Sequence, residues 1–158
     1  MRCNLAGALI LILLIPWTSS PALADDETVK AELARHQGTW RASTSVYDGQ
    51  DAPAEIVRSI TRTVEKDHVV WKRDGKSFAG TTIAIDPSRG PKTIDVIPDG
   101  GKNRCERVLG IYKLDGDTLT ICMAAPGQPR PTALRAEKGS GWTLRTFRRE
   151  GRPGADGK

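Results

Sequence analysis

Residues 108–123, VLGIYKLDGDTLTICM, contain the clearest structural signal in the chain, because two strand-like runs flank an Asp-Gly pair that favours a tight β-hairpin. With Asp115 and Gly116 as the loop, the expected cross-strand partners are Leu114 with Asp117, Tyr112 with Leu119, Gly110 with Ile121 and Val108 with Met123. The apolar residues that then share one face are Val108, Tyr112, Leu119, Ile121 and Met123. A ladder that is apolar on one side predicts the wall of a barrel or a sandwich.

Strand-like runs of similar length recur along most of the chain. They cover residues 39–47, 61–66, 68–73, 78–85, 93–97, 107–114, 118–123, 132–136 and 142–148. The segments between them contain turn sequences such as Asp48-Gly49, Asp74-Gly75 and Gly139-Ser140-Gly141. Short strands joined by tight turns predict an antiparallel meander, and closure into a barrel removes its exposed edges. The expected fold class is therefore all-β, an antiparallel meander barrel of about eight strands.

Two short helices are expected beside the strands. Residues 25–37, DDETVKAELARHQ, have an acidic first turn and an apolar side, and Gly38 follows, which is typical of a helix at the start of a domain. Residues 52–60, APAEIVRSI, place Pro53 where a first helical turn tolerates it. This pattern predicts a second short helix after the first strand.

The first 24 residues have the pattern of a secretory signal peptide. Arg2 precedes the apolar run LAGALILILLIPW, which leads through small residues to ALA and then to Asp25 and Asp26. A membrane anchor requires about 20 apolar residues, so we expect cleavage after Ala24 and export to the periplasm or the extracellular space. The expected organisation is a signal peptide at 1–24, one barrel domain at 25–150 and a disordered tail at 151–158.

The excess of basic over acidic residues indicates which partners the chain could bind. The net charge is +5, and much of the basic excess lies after residue 129. A basic end suits an anionic polymer or a membrane surface, but no aromatic side chains are interleaved with it as single-strand nucleic-acid binders require. We therefore expect a solvated strand face and tail, with no nucleic-acid partner and no stable membrane anchor after cleavage. Nothing in the sequence indicates a protein partner.

No catalytic constellation stands out. The two histidines, His36 and His68, lack metal-ligand spacing, and His36 lies near a helix end, where a positive charge is mildly favoured. No serine lies in a G-x-S-x-G context. The carboxylates that could pair as glycosidases require, but that also fit caps, turns or exposed strand positions, are Glu55, Glu65, Asp86, Asp95 and Glu106. The expected protein is not an enzyme and has no metal and no cofactor.

Two cysteines, Cys105 and Cys122, remain after the expected cleavage. In the hairpin register above, Cys122 lies opposite Leu109, and the two cysteines share a face about 13 Å apart along the strand. That separation exceeds disulfide reach, although a bulge or an early end of the pairing would bring them together. A bridge and two separate thiols therefore both stay open.

Several segments, taken in order, resemble a known family. They are GTW, the PAE helix start, the DGK hairpin, AIDPSRGPKTIDV, LGIYKLDGDTLTICMAAPGQPRPT and the terminal FRRE. Together they are similar to the small lipocalin-like domain family that is abundant in planctomycete bacteria, over residues 33–150. The resemblance implies a compact lipocalin-like barrel in an exported bacterial protein, and it implies no particular reaction or ligand.

Within that resemblance, Gly38 and Trp40 are similar to the G-x-W motif at the first strand of lipocalins. The motif implies that the indole closes one end of the barrel and that a basic side chain of the last strand packs across it. Strand alternation puts Arg145 and Arg149 on one face and Arg148 on the other. The sequence does not choose the arginine that packs on Trp40.

Three functions are compatible with these patterns. The first is a non-enzymatic binding module, whose barrel accepts a small apolar ligand between Val108, Tyr112, Leu119, Ile121 and Met123, with Tyr112 as a polar contact. The second is a structural or protein-interaction domain with a packed interior and no ligand. The third is a carboxylate-dependent hydrolase. We expect the binding module.

Overall fold

A computed structural model of the protein describes residues 25–151. The expected signal peptide at 1–24, its cleavage site and the tail beyond Gly151 lie outside the described residues. In chain order the elements are α1 (Asp26–His36), β1 (Gly38–Tyr47), β2 (Gln50–Asp51), α2 (Ala54–Ser59), β3 (Ile60–Glu65), β4 (His68–Arg73), β5 (Lys76–Asp86), β6 (Thr93–Pro98), β7 (Val108–Asp115), β8 (Thr118–Met123) and β9 (Thr143–Arg149).

The strands form an up-and-down barrel in which every pairing is antiparallel. Strand β1 pairs with β3, each later strand pairs with the next, and β9 returns to pair with β1. The two residues of β2 pair only with Val46 and Tyr47 at the end of β1, so the closed barrel has eight strands. The predicted all-β barrel and both predicted short helices are confirmed.

Three of the tight turns follow directly from Asp-Gly and Gly-Asp pairs, which are Asp48-Gly49, Asp74-Gly75 and Gly116-Asp117. Asp74 and Gly75 both have positive φ in a two-residue loop between Arg73 and Lys76, as a type I′ hairpin requires. The hairpin at 108–123 also forms, but its predicted register was wrong by two residues. Its loop is Gly116-Asp117, since Gly116 takes the positive φ of the first loop position of a type II′ turn.

The corrected register leaves the faces of that hairpin unchanged. Tyr112 now pairs with Ile121 and Leu114 with Leu119, and a shift of two residues preserves the alternation of a strand. The inward face is therefore the predicted apolar one. Cys122 lies opposite Ile111 rather than Leu109.

The strand predicted at 132–136 was wrong. Strand β8 pairs directly with β7 and β9, so neither of its edges is free for another strand. Residues 124–142 instead run across the outside of the barrel, where Arg130 donates to the carbonyl of Gly110 and the Cys122 thiol donates to the carbonyl of Arg135. This cover explains why Cys122 is buried although it points outward.

Helix α1 closes the end of the barrel at which β1 begins. Asp25 caps the helix through a 2.7 Å hydrogen bond from the backbone N–H of Thr28. At its other end, the indole Nε1 of Trp40 donates to the carbonyl of His36 at 2.8 Å. The guanidinium of Arg149 lies 4.0 Å from the centre of the Trp40 ring. Of the three candidate arginines, Arg145, Arg148 and Arg149, it is Arg149 that packs on Trp40.

The packed core fills the half of the barrel next to α1. Its fully buried side chains include Trp40, Val64, Val69, Ile94 and Leu119. Within residues 25–151, Cys105 is exposed, Cys122 is buried, and both are free thiols.

Neither described helix has the length and apolar character needed to cross a membrane.

Candidate functional site

The half of the barrel away from α1 contains a cavity of about 210 Å³. Strand alternation directs the lining side chains inward from β3 to β9, and the strand ends that surround the cavity are those farthest from α1. Four lining residues at these ends, Val96, Val108, Met123 and Thr143, are half-buried, so the cavity reaches the surface there. The full lining is Arg62, Trp71, Thr81, Ile83, Val96, Val108, Ile121, Met123, Thr143, Arg145 and Phe147.

Three of the five side chains predicted to line the interior reach this cavity. They are Val108, Ile121 and Met123. Leu119 is fully buried in the packed half instead. Tyr112 was predicted as a polar contact for a ligand, but its hydroxyl donates to Glu32 of α1 at 3.1 Å. The Tyr112 hydroxyl therefore binds to α1 and is not a polar contact in the cavity.

Arg62 is the unexpected residue of the cavity. It is 1% exposed, and its Nε and Nη2 atoms have no hydrogen-bond partner among the described residues. Its guanidinium carbon lies 5.5 Å from the centre of the Trp71 ring and 5.6 Å from that of Phe147. The ring faces attract the cation, but they do not satisfy donors that lie in the plane of the guanidinium. Burial lowers the pKa of Arg62 to about 10, so it remains charged at pH 7.

A second arginine stands at the edge of the same cavity. Arg145 is half-buried, its Nε donates to the hydroxyl of Ser45 at 3.3 Å, and its guanidinium carbon lies 6.0 Å from the Trp71 ring centre. Burial, followed by the nearby charge of Arg73, lowers the pKa of Arg145. The Trp71 indole is oriented by donating to the hydroxyl of Thr81 at 3.1 Å. None of the described lining residues is Asp or Glu, so the cavity is apolar and cationic.

The buried acidic side chain of α1 is already paired. Glu32 is buried and accepts from Lys92 at 2.7 Å and from Arg35 at 2.8 Å, besides Tyr112. Burial by itself would raise the pKa of Glu32, but the hydrogen bonds from Lys92 and Arg35 outweigh it and lower the pKa. These bonds tie α1 to β7 and to the β5–β6 connection, and they occupy the carboxylate of Glu32.

The surroundings of His36 disfavour a positive charge on its ring. Its ring is fully buried, it packs edge-on against Tyr112 with the ring centres 4.9 Å apart, and both ring nitrogens lack a hydrogen-bond partner within residues 25–151. Burial and the charge of Arg62 lower its pKa to about 4. The imidazole is therefore neutral at pH 7, whereas its place at a helix end predicted a favoured positive charge.

The other candidate chemistry does not gather at the cavity. Asp86 accepts from Ser88 and Arg89, and Asp95 pairs with Arg107 and Arg130 on the outside of the barrel. Both carboxylates line an outer groove that is separate from the cavity. Within the described part of the chain, no group of three or more His, Cys, Asp or Glu side chains is placed to hold a metal ion.

Arg62 was missed although the sequence carries a signal for it. Strand β3 reads ITRTVE, and its alternation places Ile60, Arg62 and Val64 on one face. All three are buried. An arginine on the apolar face of a strand indicates a buried charge, and buried arginines are almost always paired.

No protein-family model, no curated protein and no solved structure matches this chain. The function of the site is therefore inferred from its geometry.

Proposed function

We propose that this protein is an exported, non-enzymatic, lipocalin-like binding module that holds a small, largely apolar ligand in the barrel cavity. The observation that carries the proposal is the cavity itself, which is about 210 Å³ in volume, is lined mostly by apolar side chains and reaches the surface at one end. Small-molecule sites combine such an apolar lining with a few polar groups that fix orientation.

The volume sets the size of the ligand. An apolar cavity of about 150 Å³ accommodates benzene, so this cavity accommodates roughly eight or nine non-hydrogen atoms at the same density. Helix α1 and the core close the other half of the barrel, so a longer ligand extends outward past Val108 and Met123. A single-ring aromatic or a short-chain compound fits.

The binding experiment uses Trp71 as its reporter, because its ring lines the cavity. Small neutral aromatics and alkanols are titrated into the protein while tryptophan fluorescence is recorded. We expect saturable changes in the unmodified protein and none in Ile121→Trp, because Ile121 lines the cavity and the larger ring fills it. The matched control is Thr120→Trp, which places the same ring on the outer face of β8.

Two results would contradict the proposal. Absence of saturable binding to the unmodified protein, for neutral ligands and for carboxylates alike, means that the domain is a structural or protein-interaction scaffold. Equal binding by Ile121→Trp and the unmodified protein means that the ligand sits elsewhere.

Export is the second part of the proposal, and it rests on the pattern of residues 1–24. The ALA sequence before Asp25 and Asp26 is a signal-peptidase type of boundary. We expect the mature protein to begin at Asp25, which N-terminal sequencing of protein purified from its native host will show. A chain that still begins at Met1, or at an acylated Cys3, would contradict this part of the proposal.

A further inference from the structure

An apolar ligand leaves the buried charge of Arg62 unexplained. A buried cation loses its hydration, and this loss costs several kcal/mol unless a partner replaces the water. Among residues 25–151, Arg62 forms no ion pair, and the carboxylate of Glu32 is held by Lys92, Arg35 and Tyr112. The part of the chain that the structure describes therefore supplies no counter-ion for Arg62.

The surroundings of Arg62 show where a counter-ion would enter. Trp71 and Phe147 lie within 6 Å of the guanidinium, and all three residues line the cavity. Nε and Nη2, the two atoms without a partner, lie on one edge of the guanidinium and are buried although the residue lines the cavity, so a ligand reaches that edge only when the side chain shifts toward the cavity. That edge matches the two oxygens of a carboxylate, which arginine binds through two parallel hydrogen bonds. Arg145, at the edge of the cavity, adds a second positive charge.

We infer that the ligand of this cavity is a small monocarboxylate, whose apolar body lies among Val108, Ile121 and Met123 and whose carboxylate pairs with Arg62. The inference rests on the proposed function, because it names the chemical class of the ligand for the same cavity. Benzoate, with one ring and one carboxylate, has the right size. Burial of the Arg62 charge is costly in the free protein, and the same charge selects a ligand that carries a carboxylate.

The test compares benzoate with benzamide, its neutral counterpart of nearly equal shape, by isothermal titration calorimetry at pH 7. We expect benzoate to bind the unmodified protein at least about thirtyfold more tightly, since a buried, hydrogen-bonded charge pair contributes at least that factor. Arg62→Met should abolish this preference while keeping benzamide binding. Arg148→Met, which removes an exposed charge from β9, should keep the preference.

Folding is checked in the same experiment. Methionine at position 62 replaces an unpaired buried cation with an apolar chain of similar length, so the variant should melt no lower than the unmodified protein. Arg62→Lys is the second variant, and it should retain part of the benzoate preference because it keeps the charge without the two-pronged geometry.

Each outcome decides the inference. Equal affinity for benzoate and benzamide in the unmodified protein overturns the inference and leaves the proposed function intact. A preference for benzoate that survives Arg62→Met has the same consequence. Binding of neither compound overturns the inference. The panel of neutral ligands then shows whether the proposed function fails with it.

Discussion

Replacement of Trp40 with alanine is expected to lower the free energy of unfolding by roughly 3–5 kcal/mol, the usual cost of emptying a large buried aromatic site. Trp40 is fully buried, and its Nε1 donates to His36 while Arg149 covers its outer ring face. The substitution leaves a void between the barrel and α1, and it removes the hydrogen bond that holds the end of the helix. Urea denaturation followed by circular dichroism measures the effect.

Trp142→Ala is the control for this experiment. Trp142 is half-buried, just before β9, so its removal should cost clearly less than that of Trp40. A loss below about 1 kcal/mol for Trp40→Ala would mean that the indole does not close the barrel.

Acid is expected to destabilise the fold through His36. The pKa of His36 is about 4 in the folded protein against an ordinary value of 6.5. As the pH falls from 6.5 to 4, the unfolded chain therefore takes up a proton that the folded protein excludes. The contribution of His36 to the free energy of unfolding is fully present above pH 6.5 and is lost as the pH falls towards 4. The loss amounts to about 3 kcal/mol, at about 1.4 kcal/mol per pKa unit.

The charged groups around His36 support this direction. Arg62 faces it from β3, Lys92 from the β5–β6 connection and Arg35 from its own helix, and all three disfavour a proton on the ring. Only Glu32 favours it, and burial outweighs that attraction.

His36→Leu separates this effect from the titration of carboxyl groups. Because both ring nitrogens lack partners in the described structure, leucine removes the titration without breaking a hydrogen bond. Stability curves of the two proteins between pH 7 and pH 5 should diverge, and the unmodified protein should lose about 2 kcal/mol more. Parallel curves would mean that His36 takes up its proton as readily in the folded protein as in the unfolded chain.

The hairpin at 108–123 shows why strand prediction succeeded on faces and failed on register. Inward and outward positions follow from alternation, which a shift of two residues leaves intact. The register depends on which residue takes the positive φ, and the DGD sequence offers two choices. Only the turn that forms, with Gly116 first, distinguishes them.

The false strand at 132–136 has a different cause. Its local pattern suits a strand, but a strand also needs a free edge to pair with. Both edges of β8 are occupied, one by β7 and the other by β9. No local pattern contains that information, because the competing partner lies elsewhere in the chain.

Sequence by itself determined the eight strands of the barrel, most of the turns, both short helices and the inward face of the β7–β8 hairpin, because these depend on backbone preferences and alternation over a few residues. Only the tertiary structure decided that Tyr112 turns to Glu32, that Arg149 rather than Arg145 covers Trp40, and that Arg62 lies unpaired beside a cavity. These outcomes depend on which side chains converge when β9 closes the barrel against β1. The cavity volume and the pairing of charges inside a barrel depend on the side chains of all its strands together.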